Sequence, residues 1–260
     1  MLQTLWRHRE LVAELARREF SGRYRGSFGG IAWSFAQPLF LLAIYTVAFG
    51  VLLQARWGFG DTTADYALRV FAGLIVFNAF AECLAVAPRL IVANPNYVKK
   101  VLFPLEVLPW VMALAALMHA IIGVAVWLIG YAIVFGAPAP SVALFPAVLL
   151  AFFPVLLGCG WLLSALGVVV RDVGQVTALV THALLFLTPI FYSLDAVPAR
   201  LWGLLILNPL TFVVEQLRSV LTGYGISPPS LAAYFLLASL FAWGSLAIFR
   251  RMRPTFAEMV

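Results

Sequence analysis

Charged positions along this chain are bunched, and the stretches between them run long. None of Asp, Glu, Lys or Arg occurs between Arg25 and Arg56, between Glu106 and Arg171, or between Arg218 and Arg250. A helix that crosses a bilayer needs roughly 20 apolar residues, so the 64-residue middle run holds two crossings. Gly136-Ala-Pro-Ala-Pro140 marks the turn between them, since Gly and Pro both interrupt helices. The whole pattern predicts six membrane helices, at about Trp33 to Leu53, Val70 to Ile91, Val107 to Phe135, Val142 to Val170, Gly174 to Leu194 and Leu231 to Phe249.

Two segments stand outside that scheme. Val197 to Gly223 is too apolar for an exposed loop, yet Arg200, Asn208-Pro209, Glu215 and Arg218 are spread through it. A seventh full crossing would strand Arg250, Arg251 and Arg253 on the opposite side. The pattern therefore favours two half-helices that dip into the outer leaflet and return, broken at Asn208-Pro209. Ala199 to Leu207 rises only about 14 Å at 1.5 Å per residue, half a bilayer core. Near the N-terminus, a turn of about 100° per residue puts Leu2, Leu5, Trp6, Val12, Ala13, Ala16 and Phe20 on one face, with Arg9 intruding. Arg7, Glu10, Glu14 and Arg17 lie opposite, as expected of a helix resting on a membrane surface. A solvated helix that merely fixes topology is the alternative. Gly26, Gly29 and Gly30 then permit a bend into the first crossing.

Composition agrees with the bilayer as solvent: 63% of the 260 residues are hydrophobic, 11% are charged, and mean hydropathy is +1.00. The net charge of +6 is topological rather than a mark of nucleic-acid binding. Thirteen of the 17 Lys and Arg residues fall on the side that holds both termini, against four (Arg56, Arg69, Arg200 and Arg218) on the other. Positive-inside bias places both termini in the cytoplasm. Charges between Arg7 and Glu19 occupy the place of a signal peptide's apolar core, so no cleaved leader is expected. The expected fold is all-α and integral to the membrane, one domain over residues 1–260. It has a cytoplasmic interfacial helix in 1–29, six transmembrane helices in 30–250 with re-entrant outer half-helices between the fifth and sixth, and a cytoplasmic tail in 251–260.

The inventory of reactive groups is sparse. His8, His119 and His182 have no Cys or carboxylate at ligand spacing, so no metal site is expected. Cys83 and Cys159 both fall inside crossings and read as small apolar packing residues. The two lysines, Lys99 and Lys100, do not follow a glycine-rich phosphate loop, so the chain is not its own P-loop ATPase. Glu82 is a carboxylate well inside a crossing, with Asn78 one turn before it on the same face. It reads either as a lining or proton site or as a polar clamp between helices. Gln37, Gln175 and Thr177 read as helix–helix hydrogen-bonding points.

The loop Asn94-Pro-Asn-Tyr-Val-Lys-Lys-Val-Leu-Phe-Pro-Leu-Glu-Val-Leu-Pro109 has the makings of a mechanical part. Pro95 and Pro104 bracket about two helical turns, with Tyr97, Val101 and Phe103 giving an apolar side and Lys99 and Lys100 the charge. Such a short rigid-ended helix suits a groove in another protein.

Four stretches together carry a resemblance. They are Glu14-Leu-Ala-Arg-Arg-Glu-Phe-Ser-Gly-Arg-Tyr-Arg-Gly-Ser-Phe-Gly-Gly-Ile-Ala-Trp33 on to Gln37-Pro38, the Asn94 to Pro109 loop, Arg171-Asp172-Val173 with Thr188-Pro-Ile-Phe-Tyr-Ser193, and Leu207-Asn-Pro-Leu-Thr-Phe-Val-Val-Glu-Gln-Leu-Arg218. Their order and spread over about residues 14 to 221 resemble the six-helix permease subunits of ABC-type polysaccharide exporters, which move lipid-linked O-antigen, capsule or teichoic acid chains. The chain departs from that pattern at Leu105, where members often carry a basic residue after Phe-Pro.

The resemblance implies a homodimer in the bacterial inner membrane, working with two separate ABC ATPase subunits on a lipid-linked polysaccharide. No cofactor is implied in this chain, ATP and Mg being bound by the partner. ATPase coupling falls on Asn94, Tyr97, Lys99, Lys100, Val101, Phe103 and Pro104. The cytoplasmic interface and lipid head-group contact fall on Arg17, Arg18, Arg23, Tyr24, Arg25, Arg171 and Asp172. An outer gate falls on Pro189, Phe191, Tyr192, Asn208 and Pro209, with Glu215 and Arg218 paired three residues apart. A small-molecule exporter of the same superfamily would share these parts. A lipid-acting transferase or phosphatase would need clustered carboxylates, His or a metal at one interface, and a proton-coupled carrier would be expected to show inverted repeats.

Overall fold

The structure, a computed structural model, describes residues 6–23, 26, 28–52, 62–98 and 103–259. Every regular element among the described residues is helical. Helix α1 (Arg9–Gly22) precedes α2 (Trp33–Tyr45), which runs on into a π-helical stretch, Thr46–Leu52. Next come α3 (Thr63–Val86), the short α4 (Pro95–Val98), α5 (Val107–Phe135), α6 (Phe145–Val169) and α7 (Val173–Leu187). The chain finishes with α8 (Trp202–Leu207), α9 (Pro209–Leu221), α10 (Pro228–Met252) and α11 (Phe256–Met259).

Among the described residues, four helical segments are long and apolar enough to cross a bilayer: Thr63–Arg89, Val107–Phe135, Pro140–Val169 and Pro228–Thr255, of 27 to 30 residues. Each extends about 40 Å or more, against about 30 Å of hydrocarbon core. Trp33–Ala48 and Val173–Leu187 are apolar but shorter, and Ala199–Leu207 meets Pro209–Leu221 at a 95° bend. The bend falls at the Asn208-Pro209 break that the sequence predicts.

Helix ends depart from the sequence pattern for local reasons. The second apolar helix begins at Thr63, earlier than the expected Val70, because Thr62 caps it by accepting the Asp65 N–H at 3.2 Å. Asp65 and Arg69 then pair one turn apart at 2.8 Å, so both charges are carried inside the helix. The fifth apolar helix stops at Leu187, short of the expected Leu194. Pro189 disfavours a helical conformation in the residue before it, and Thr188 takes ψ 138°. Thr188, Pro189 and Ile190 are still buried, so the apolar run continues past the helix as core. At the turn after α5, Gly136 takes a φ of 86°, which glycine reaches without a Cβ clash.

Helix α3 is the centre of the bundle: 72% of the apolar window in Thr63–Arg89 is buried, against 28% in Pro228–Thr255. The peripheral α10 exposes Leu236, Leu237, Leu240 and Trp243, a face suited to lipid. Its inner side lies along α6, where a Cβ built on Gly158 would stand 2.4 Å from the Phe241 ring. α1 packs on α5 through Val12 and Ala16, which are fully buried, while Trp6 is 74% exposed and Ala13 is also exposed. Phe20 continues the expected apolar face, half-buried with its ring 4.8 Å from that of His119, while Leu2 and Leu5 lie outside the described residues.

Candidate functional site

One end of the bundle is organised by Arg218 of α9. Its guanidinium, with 4% of the side chain exposed, donates from Nη2 to the carbonyls of Pro189 (2.8 Å) and Ile190 (3.3 Å) and from Nε to the carbonyl of Arg69 (3.3 Å). Nη1 donates to the Glu215 carboxylate, completing the pair that the three-residue spacing predicts. A planar fork of five N–H donors can tie three chain segments together in this way, which an ammonium cannot.

Asn208 works at the bend itself. Its Oδ1 accepts the Leu210 N–H at 3.0 Å and its Nδ2 donates to Thr188 Oγ1 at 2.9 Å, so one side chain both caps α9 and fastens it to the end of α7. Pro209 occupies the first helical turn, and its carbonyl accepts the Tyr234 hydroxyl of α10 at 2.9 Å. The Phe191 carbonyl accepts the Tyr66 hydroxyl at 3.0 Å, and the Phe191 ring packs on Tyr45 and Phe186. The Tyr192 hydroxyl turns back to the carbonyls of Phe186 (3.1 Å) and Leu187 (3.3 Å), which the end of α7 leaves open. Residues 188–192 and the bent pair therefore form one locked cap. Replacing Asn208 with Ala is expected to lower stability by about 1–2 kcal/mol through loss of the cap and the Thr188 bond. A thermal melt in nanodiscs checks this, and an unchanged Tm would show that the bend holds without Asn208.

The opposite end carries the Asn94 to Pro109 loop. α4 forms its first turn, Asn94 Nδ2 donates to the Leu90 carbonyl at 2.9 Å, and the Tyr97 and Phe103 rings stack at 4.3 Å. That stack is the apolar side expected of the loop, closed on itself. Glu106 follows, 7% exposed, and accepts from Arg253 Nη1 at 3.2 Å, with Arg250 at 3.7 Å. Arg253 Nη2 also donates to the Phe103 carbonyl at 3.3 Å, and Trp161 of α6 donates to the Glu106 carbonyl at 3.1 Å. Displacing Phe103 would therefore pull on α5, α6 and the end of α10 together. Arg18 and Glu19 of α1 border a cleft of about 200 Å³ with Asn94 and Tyr97, which brings the N-terminal helix beside the loop.

These two opposed ends are linked by the long helices α3 and α5. Residues 10–222 match the family described as ABC-2 type transporter. The chain belongs to the ABC-2 type transporter family. Among curated relatives, this ABC-2 chain is 25% identical to "O-antigen export system permease protein RfbA" of Myxococcus xanthus over 100% of its own length and 99% of the relative's. It is 23% identical to a protein of the same description from Klebsiella pneumoniae, covering 96% of this chain and 95% of the relative. It is 29% identical to "Polysialic acid transport protein KpsM" of Escherichia coli, covering 92% of each.

Within this ABC-2 chain the expected residues fall into separate groups. Pro189, Phe191, Tyr192, Asn208, Pro209, Glu215 and Arg218 are brought together at one end, and Asn94, Tyr97, Phe103 and Pro104 at the other. Arg17, Arg18, Arg171 and Asp172 are exposed, and Arg23 turns away to Glu82 at 2.8 Å. Tyr24, Arg25, Lys99, Lys100 and Val101 lie outside the described residues. Sequence reasoning missed Glu106 and Arg253, which stand 147 residues apart. Their one signal is that each lies just outside a charge-free run. It also left His119 alone, whereas His119 Nδ1 lies 2.9 Å from Glu82 Oε2.

Proposed function

We propose that this chain is the membrane-spanning half of an ATP-driven exporter that carries polyprenyl-diphosphate-linked polysaccharide out of the bacterial cytoplasm across the inner membrane. The observation that carries this reading is end-to-end similarity to relatives described as O-antigen and polysialic acid transport proteins. Hydrolysis of ATP belongs to a separate subunit, since the sequence holds no glycine-rich phosphate loop followed by Lys. Two such ATPases serve a homodimer of this chain, twelve crossings in all. α2 and α7 act as the first and fifth crossings of each half, and α8 with α9 as the re-entrant segment.

Charge supports the orientation. Arg89, Arg171, Arg250, Arg251 and Arg253 lie at the loop end with α1, while Arg69, Arg200 and Arg218 lie at the other. The positive-inside bias makes the loop end, and both termini, cytoplasmic. Closure of the ATPase pair then presses on the Asn94 to Pro109 loop, which opens with α4, and on α1, and the Glu106–Arg253 link carries that displacement into α10 and α6. Rearrangement of the two halves opens a path along their interface for the sugar chain. Arg25 or Arg171 meets the diphosphate near the cytoplasmic leaflet, Arg23 being engaged by Glu82. The locked cap of residues 188–192 with the bent pair is the part that must yield on the far side.

Replacing Tyr97 with Ala tests the coupling path. Losing the aromatic stack is expected to leave the complex assembled and its ATPase active while lowering glycan export about tenfold. Unchanged export at equal expression would exclude the loop as the coupling part.

A further inference from the structure

Helix α3 is buried along most of its length, and within its buried middle Asn78 stands out as an exposed amide. Asn78 hydrogen-bonds to no other described residue. It stands eight residues before the helix end at Val86, about 12 Å in at 1.5 Å per residue. Gln37 of α2, also exposed and without a hydrogen bond among the described residues, faces it across a cleft of about 230 Å³. Ser34 lines the same cleft, as do Glu82, one turn on from Asn78, and its two partners. Glu82 Oε1 accepts from Arg23 Nη2 at 2.8 Å, and Oε2 lies 2.9 Å from His119 Nδ1. Phe71, Ile75, Ala120 and Gly123 supply an apolar side to the cleft. Polar side chains at membrane depth are costly unless water, a partner group or a ligand meets them, so a cleft of this kind is a site by its chemistry.

Three features define what fits. A volume of about 230 Å³ is below the roughly 300 Å³ of drug-sized pockets and suits a single ring. Two amides and a carboxylate with lone pairs to spare offer both donors and acceptors, which matches hydroxyl groups that are both at once. The Arg23 cation is taken up by the Glu82 carboxylate in the same lining, so the cleft offers an anion no unpaired positive charge, and no group of three or more His, Cys, Asp or Glu residues able to hold a metal ion occurs among the described residues. An uncharged, hydroxyl-rich ring remains. We propose that this cleft is a saccharide subsite, in which Asn78 and Gln37 hold the hydroxyls of one sugar ring and Glu82, kept in place by Arg23 and His119, accepts from another. The assignment deepens the exporter reading above and rests on it for the source of the sugar.

Saturation-transfer NMR on the complex with its ATPase in nanodiscs tests this, with the methyl glycosides of mannose, galactose and N-acetylglucosamine as probes and inorganic pyrophosphate as competitor. At least one glycoside is expected to bind, with Asn78→Leu weakening it about tenfold through loss of amide hydrogen bonds to hydroxyls and pyrophosphate failing to displace it. Gln37→Leu, at an exposed position on another helix, should act in the same direction and stands in if the first variant does not assemble. Absence of binding by every glycoside, binding unaffected by both variants, or displacement by pyrophosphate would overturn the subsite. ATP-driven glycan export by the wild-type complex in proteoliposomes is followed in parallel. Export without glycoside binding removes the subsite alone, and glycoside binding without export removes the exporter reading alone.

Discussion

Replacing Arg218 with Met is expected to unfold the end of the protein that holds the bent pair α8–α9. The substitution keeps an unbranched stem but deletes the donors to the Arg69, Pro189 and Ile190 carbonyls and leaves Glu215 without its cation. Removing this buried guanidinium costs about 3–5 kcal/mol, because the carbonyls it served lose their donor and the half-buried Glu215 loses its cation. Arg218→Lys should recover little, since one ammonium cannot reach carbonyls on two segments and a carboxylate in a planar fork. Thermal unfolding in nanodiscs, with trypsin cleavage at Arg200 as a local readout, checks both variants. A melting temperature for Arg218→Met equal to wild type would show that the 188–192 segment is held by packing alone.

The second large effect is expected at Gly167. A Cβ built there would stand 1.9 Å from the Pro88 carbonyl oxygen, a backbone atom that no rotamer change can move. Gly167→Val must therefore separate α6 from the turn Ala87–Arg89 that leads into the Asn94 to Pro109 loop. Overpacking of this kind costs about 3 kcal/mol or more when backbone has to shift. Gly244→Ala is the control, since nothing lies within 4 Å of a Cβ there, and its melting temperature should equal or exceed that of wild type. Equal melting temperatures for Gly167→Val and wild type would mean that the two segments are not in contact.

What could be read without the structure follows the range of the forces involved. The crossings of α5 and α6 and the turn at Gly136 were legible because charge exclusion and helix breaking act locally along the chain. The bend at Asn208-Pro209 was legible for the same reason, and the Glu215–Arg218 pair followed from helical spacing. The end of α7 was harder. Thr188-Pro189 signals a helix end, but the apolar residues beyond it mask the signal because they are core residues in an irregular segment. Contacts between distant residues left no local trace. His119 meets Glu82 across 37 positions and Arg253 meets Glu106 across 147, each pair joined only when helices far apart in sequence pack together. The family resemblance supplied the roles of the loop and the re-entrant segment, which periodicity alone does not assign.

The most direct test of the account is ATP-dependent appearance of lipid-linked glycan on the far side of proteoliposomes, comparing this chain alone with this chain plus its ATPase partner. Export that needs both subunits and ATP is the predicted result. Export by this chain alone would contradict the division of labour, and ATP hydrolysis stimulated without any glycan movement would contradict the substrate.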